Sequence, residues 1–263
     1  VKLVLLRWLT ALAGIPIFIC FLIKGGLAWF LFLAVLVTLS GLELSSLLTK
    51  LGYKNTWPWV VGGGLYLLTI AYISVGDGSG RFSAPVVYAL PLMLLLTIEI
   101  ATTRKPLQRT AAICLSSMYI GLYAHLFLTR AAGIPLVLMA VLGTWFTDSM
   151  AFFIGSRFGR TPLVPLISPN KSVEGALAGV AGALIASTII AHVAGWPLWQ
   201  GLVFGLGTAL AAQIGDLVES AMKREAEVKD SGHLLPGHGG VLDRFDSLIF
   251  AGPAVYYLWL LIM

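Results

Sequence analysis

The chain has 263 residues, of which 58% are hydrophobic and only 11% charged, with a mean hydropathy of +0.92 and a formal net charge of +5. A soluble domain carries about 25% charged residues, so this composition excludes an ordinary cytosolic enzyme, a coiled coil, a collagen-like fibre and a disulfide-rich secreted module. The 17 Lys and Arg lie in short gaps between apolar stretches, which suits membrane topology and anionic lipid and gives no surface for nucleic acid.

A helix needs roughly 20 apolar residues to cross a bilayer. On that measure the sequence predicts an all-α polytopic membrane protein with about nine transmembrane helices: Leu3–Ile23, Leu27–Leu48, Pro58–Val75, Ala84–Ala101, Thr110–Leu128, Ile134–Ile154, Ala176–Val193, Leu198–Val218 and Ser247–Met263. The runs are long and continuous, without the short alternation of a barrel strand. Ala11-Leu12-Ala13 has the look of a cleavage site, but Arg7 interrupts the run before it, so the first segment is expected to be retained as a helix. Cys20 and Cys114 sit inside apolar runs at no metal or disulfide spacing and are expected to be packing residues.

With nine spans, 14 of the 17 Lys and Arg fall on one side: Lys2, Arg7, Lys50, Lys54, Arg104, Lys105, Arg109, Arg157, Arg160, Lys171, Lys223, Arg224, Lys229 and Arg244. Lys24, Arg81 and Arg130 fall on the other. The positive-inside rule then places the N-terminus in the cytoplasm and the C-terminus outside. Functionally the chain divides into N-terminal transmembrane helices (1–132) and C-terminal helices (133–263) that carry the charged motifs.

Several polar features along the chain have bland explanations. Glu43 and Glu99 fall toward cytoplasmic span ends, where snorkelling or a helix–helix hydrogen bond is favoured over the alternative of lining the site. Asp77-Gly78-Ser79-Gly80-Arg81 reads as a turn, and His125 and His192 as packing residues near outer span ends. Asp148, in Gly143-Thr144-Trp145-Phe146-Thr147-Asp148-Ser149, is different, because a carboxylate at membrane depth is costly and usually functional. Beyond it, Ser168-Pro169-Asn170-Lys171-Ser172-Val173-Glu174-Gly175 resembles a helix start, with Ser172 or Asn170 capping and Glu174 in the first turn. Lys171 beside that N-terminus is well placed for phosphate. In the eighth span Gly201, Gly205, Ala209 and Ala212 permit close helix contact, either within one chain or across a homodimer.

The segment Asp216–Asp246 holds 11 of the 29 charged residues. Asp216, Ser220, Lys223 and Glu227 are spaced to share one face of a continuing helix, and Glu219, Glu225 and Glu227 read as its solvated charges. Asp243 and Asp246 open the last span at i, i+3, where an N-cap and a helix-dipole role would suffice. Joined by Asp216 at the end of the preceding span, they make a hard-cation site with oxygen ligands suited to Mg²⁺. Gly237-His238-Gly239-Gly240 can bring backbone N–H groups close to an anion. With Lys223, Arg224 and Lys229 nearby in sequence, the segment reads as a polyphosphate site with its metal.

The run from Ser220 through Met222-Lys223-Arg224, Lys229-Asp230, Gly232 and Leu235-Pro236-Gly237-His238-Gly239-Gly240 to Asp243-Arg244-Phe245-Asp246 resembles the signature of the phosphatidate cytidylyltransferases (CDP-diacylglycerol synthases). Asp148 and Ser168–Gly175 are similar to a second motif of that family. The resemblance implies a reaction of CTP with phosphatidate to CDP-diacylglycerol and pyrophosphate, requiring Mg²⁺ and leaving room for a second cation. It implies catalytic roles for Asp148, Lys171, Asp216, Lys223, Arg224, Asp243 and Asp246, with Asp216, Asp243 and Asp246 on the metal. Ser220, Lys229, Asp230, His238, Gly239, Gly240 and Arg244 would then contact substrate or phosphate. The expected location is a bacterial-type inner (plasma) membrane with the site facing the cytoplasm. Two other readings suit the same residues: transfer to another membrane lipid phosphate, and transport of a phosphorylated anion.

Overall fold

The computed structural model describes residues 14–77, 84–103, 105–234 and 239–263. In chain order its helices are α1 (Gly14–Lys24), α2 (Gly26–Lys50), α3 (Trp57–Asp77), α4 (Ala84–Thr102), α5 (Pro106–Gly121), α6 (Ala124–Ala132) and α7 (Ile134–Phe158). Strands β1 (Pro162–Val164) and β2 (Ser168–Ser172) follow, and then α8 (Val173–Val193), α9 (Leu198–Glu225) and α10 (Leu242–Ile262). Among the described residues seven helical stretches are long and apolar enough to cross a membrane, with α5 and α6 together forming one of them. Two shorter apolar helices, Gly14–Lys24 and Pro91–Thr102, fall on the first and fourth predicted spans. Residues 1–13, and most of the turn predicted at Asp77–Arg81, lie outside the described residues. The protein is thus an all-α polytopic membrane protein, with one small hairpin among the described residues.

That hairpin was not expected. Pro162 pairs with Ser172 and Val164 with Ser168, antiparallel, with an irregularity between Pro162 and Val164. Pro162, Pro165 and Pro169 bar a continuous helix in this segment. Of the two predicted caps Ser172 is the one used: its Oγ accepts from Gly175 N at 3.1 Å, and α8 starts at Val173. Asn170 lies in β2.

The described residues form two compact units. The first comprises the chain up to Leu128 together with Val228–Asp243. In it α2, α3 and α5 pack on one another around Trp29, Leu33, Leu44, Leu68, Ile113 and Ile120, all essentially without exposure. Buried polar groups are paired across this core: Trp29 Nε1 donates to the Leu126 carbonyl at 3.2 Å, and Ser40 Oγ and Tyr123 Oη lie 3.2 Å apart. Glu99 is fully buried, and Arg109 Nη1 donates to its two oxygens at 2.5 and 2.6 Å while Nη2 reaches the carbonyls of Lys54 and Asn55. Its role is the helix–helix one. Cys20 is exposed on α1 rather than packed, and Cys114 is half-buried on α5.

The second unit comprises Thr129–Glu227 and Arg244–Met263. Here α8 packs between α7 and α9, and the small residues of α9 make this possible. A Cβ on Gly201 would lie 2.7 Å from the Thr188 Cα, and one on Gly205 would lie 2.8 Å from both the Ala183 carbonyl oxygen and the Leu184 Cα. Ala209 and Ala212 are fully buried. The stripe Gly201–Ala212 therefore serves a contact within the chain. On the same helix Leu198, Leu202, Leu206, Leu210 and Ile214 are exposed at every fourth position, forming an apolar ridge that only lipid would solvate favourably. Gly205→Val should consequently lower the thermal unfolding midpoint in detergent, since overpacking a tight contact costs about 1–3 kcal/mol. An unchanged midpoint would show that α8 and α9 can separate freely.

Candidate active site

In the second unit the ends of α7, α9 and α10 and the β1–β2 hairpin bring opposite charges together. α7 ends at Gly159, and the Glu174 carboxylate in the first turn of α8 then accepts from Arg160 N, Thr161 N and Thr161 Oγ1 at 3.0 to 3.3 Å. Glu174 thus fastens the start of the hairpin to the top of α8, a larger role than the first-turn charge expected of it. The close approach of α7 and α8 requires Gly175, whose Cβ would stand 2.8 Å from the Ala151 carbonyl oxygen. Held in this way, β2 delivers Lys171 to Asp216 on α9, and Lys171 Nζ lies 2.5 Å from Asp216 Oδ2. Both side chains keep about a third of their surface accessible, so the pair is reachable from outside.

Asp216 follows Gly215, and the two have linked functions. A Cβ on Gly215 would sit 2.7 Å from the Asp246 carbonyl oxygen and 3.2 Å from the Phe250 ring. Glycine therefore allows α10 to approach α9 next to Asp216. Asp246 is buried, and its Oδ1 accepts from Ser247 N at 2.7 Å. Asp148, from α7, has Asp216, Asp246, Lys171 and Arg244 as its charged neighbours, and Asp246 in turn has Asp216, Lys171 and Lys223. Three carboxylates and three cations from four elements thus act on one another in one region. Ser220 Oγ donates to Asp216 Oδ1 at 3.4 Å.

The charges further along α9 are arranged differently from expectation. The helix ends at Glu225, and Glu227 has a φ of +56°, so Glu227 does not share a continuing helical face with Asp216. Glu219 is fully buried and ion-paired to Lys223, not solvated; Glu225 and Glu227 are exposed. Arg224 Nε donates to the Ile167 carbonyl at 3.3 Å, which ties the end of α9 to the hairpin turn. A cleft of about 640 Å³ opens beside Lys171 and Asp216, with Phe152, Ser156, Asn170 and Gln213 among its walls. It offers apolar surface next to a charged pair, the lining that an amphiphilic substrate needs.

The remaining predicted residues belong to the first unit. Lys229 and Asp230 are exposed at the start of a loop. His238 lies outside the described residues. Gly239 has a φ of +81°, a conformation that favours glycine. Asp243 is in the first turn of α10, where its Oδ2 accepts from Gly240 N at 2.8 Å and its two oxygens accept from Ser231 N at 3.2 and 3.0 Å. Glu43 of α2, for which the sequence favours snorkelling or a helix–helix bond over a place lining the site, accepts from Ser231 Oγ and from the backbone of Val241 and Leu242. Its partners are mostly backbone amides far along the chain, and such donors leave no trace in sequence.

Among the described residues, no three His, Cys, Asp or Glu close around one point as a self-sufficient metal cage. Mg²⁺ does not need one, since it is commonly held by one or two carboxylates, with waters and substrate phosphates completing an octahedron. The carboxylate oxygens of Asp216 and Asp246, with cations suited to phosphate nearby, are the kind of donor such an ion takes.

Comparison with known proteins follows the same direction. The model of the Cytidylyltransferase family matches residues 5–262. Among curated proteins, the phosphatidate cytidylyltransferase of Bacillus subtilis (strain 168) is 35% identical over 258 residues, covering 95% of this chain and 91% of the relative. That of Staphylococcus saprophyticus is 33% identical over 255 residues, covering 96% and 97%. That of Staphylococcus aureus (strain N315) is 32% identical, again covering 96% and 97%.

Proposed function

Because the chain belongs to the cytidylyltransferase family, we propose that it transfers the cytidylyl group of CTP to phosphatidate, giving CDP-diacylglycerol and pyrophosphate. A phosphate oxygen of the lipid attacks the α-phosphorus of CTP, a new P–O bond forms, and the bond to the β-phosphate breaks, so that pyrophosphate leaves with the electron pair. No side chain acts as nucleophile, because the lipid phosphate is one already. The difficulty is electrostatic: two polyanions must meet, and catalysis is mainly charge neutralisation and positioning.

The observation that carries this reading is the grouping of Asp148, Asp216 and Asp246 with Lys171, Lys223 and Arg244 beside an amphiphilic cleft. Lys171, Lys223, Arg224, Lys229 and Arg244 hold phosphate oxygens, and Ser220 and Asp230 orient these groups. His238, Gly239 and Gly240 take the triphosphate or the departing pyrophosphate. Asp216, Asp243 and Asp246 are the residues that would hold Mg²⁺, with Asp148 as a further ligand or partner and a second cation accommodated. When bound, the ion neutralises phosphate charge as a Lewis acid.

The charge asymmetry along the chain supports the remaining parts of the proposal. Nine spans with a cytoplasmic N-terminus put the motifs of 133–263 at the cytoplasmic face of a bacterial-type plasma membrane, while 1–132 supply the rest of the bundle. That face is where a water-borne nucleotide meets a membrane lipid. Membrane lipid is a partner throughout, and a homodimer would use faces other than the Gly201–Ala212 stripe, which α8 occupies.

The test is to incubate purified protein in detergent with labelled CTP and phosphatidate, with Mg²⁺ or with EDTA. The expected result is a labelled lipid with matching pyrophosphate release, abolished by EDTA and restored by excess Mg²⁺. Label transfer only to a different lipid phosphate would change the acceptor. A protein that binds no nucleotide would overturn the reading in favour of transport.

A further inference from the structure

Glu43 is the least expected carboxylate of the first unit. It lies seven residues before the end of α2, 4% exposed, and an ionised group so placed must be compensated by hydrogen bonds. Its compensation is all directed at one target. Oε2 accepts from Ser231 Oγ at 3.1 Å and from Leu242 N at 2.8 Å, and Oε1 accepts from Val241 N at 2.9 Å. These donors belong to both ends of the segment that carries the glycine-rich motif. Asp243 grips the same two ends through Ser231 N and Gly240 N. Ser231, itself buried, is shared by the two carboxylates.

The glycines of the motif are explained by the same contact. A Cβ on Gly232 would lie 2.6, 2.8 and 2.9 Å from Glu43 Oε1, Cδ and Cγ, and no other residue contributes to its three nearest contacts. A Cβ on Gly240 would lie 2.5 Å from Glu43 Oε2. Gly232 is therefore required by the close approach of a carboxylate from α2, and Gly240, which sequence alone assigns to anion binding, by the approach of that carboxylate together with Ser231 Oγ.

We propose that Glu43 is a positioning residue for the reaction. It clamps the neck of the Ser231–Leu242 loop, so that Gly239, Gly240 and the flanking Lys229 and Arg244 are positioned for the nucleotide. This rests on the proposed cytidylyl transfer only for its kinetic consequence; the clamp itself can be tested without activity. Glu43→Gln keeps the shape but replaces one carboxylate oxygen with an N–H₂ group facing backbone donors. In the full chain in detergent, hydrogen exchange of peptides covering 231–242 is expected to accelerate at least about tenfold, because one of the Val241 and Leu242 amides loses its acceptor and faces a donor instead. The KM for CTP should rise by about ten- to a hundredfold, since small misplacements of positioning groups have effects of that order, with the KM for phosphatidate little changed.

Gly232→Ala, which leaves the carboxylate intact, should give the same pattern. The double variant should be no worse than the poorer single one, since both act through one contact. Gly232→Ala and Ser231→Ala keep the test open if Glu43→Gln does not fold. Wild-type exchange in Glu43→Gln, additive effects of the two substitutions, or equal rises in both KM values would overturn the proposal. If the wild-type protein transfers no cytidylyl group but Glu43→Gln still frees the 231–242 amides, the clamp stands and the proposed reaction fails.

Discussion

Asp246→Asn is expected to reduce kcat by about 10²- to 10³-fold, the range seen when one preorganised group facing transition-state charge is removed. The variant should remain folded. An amide oxygen can still accept the Ser247 N–H that Asp246 Oδ1 now accepts at 2.7 Å, and the substitution changes almost no volume in a buried position. What it removes is a negative charge beside Asp148 and Asp216. Under the proposed mechanism that charge is needed for the cation and, through it, for the nucleotide. The measurement is label incorporation from CTP into lipid, paired with a thermal unfolding curve in the same detergent. A near-normal rate would remove Asp246 from the metal set and leave it the dipole role at the start of α10.

Lys171→Gln separates function from stability more sharply. The pair with Asp216 is 2.5 Å long but about a third accessible on both sides, and exposed ion pairs of this kind contribute about 0–1 kcal/mol. Loss of the pair should therefore leave the unfolding midpoint nearly unchanged. Activity should nevertheless fall by about a hundredfold, because a phosphate loses its cation and Asp216 loses the charge that orients it. Lys171→Arg should recover only part of the rate, since the planar guanidinium does not replace a point charge on a short reach. A variant that loses stability and activity in parallel would instead make Lys171 a structural tie between β2 and α9.

These two residues also show how far sequence reasoning reaches. Asp216 stood out because it ends a long apolar run, where burying a charge has a cost that sequence exposes, and Asp246 because it opens the next run on the same side. The helices themselves were readable for the same reason. α7 starts at Ile134, α8 ends at Val193 and α9 starts at Leu198, each as predicted, and α9 runs seven residues past its predicted end. Lys171 was placed correctly beside a helix start but on the wrong kind of element. Three prolines in a short polar stretch exclude a helix without declaring a hairpin, and the pairing of Pro162 with Ser172 is a tertiary outcome. Glu219 looked solvated because helical spacing does not say which face of α9 meets a neighbour. Glu43 was invisible as a loop anchor for a different reason: its partners are nearly 200 residues away, and two of the three are main-chain amides that every residue type supplies.

The length of α9 has a further consequence. At 28 residues and about 1.5 Å per residue, the helix is about 42 Å long, whereas a hydrocarbon core is about 30 Å thick. Its apolar part, Leu198 to Gly215, covers only about 27 Å by the same rise, so under the proposed membrane placement Asp216 would come at the depth where hydrocarbon gives way to headgroups. Acyl-chain length in the surrounding bilayer then sets how deeply that carboxylate is immersed. A thicker bilayer would draw Asp216 into hydrocarbon or tilt the helix to prevent it, and a thinner one would lift it into water. Under that placement bilayer thickness would act on the site's electrostatics, through the membrane whose lipids the enzyme helps to make.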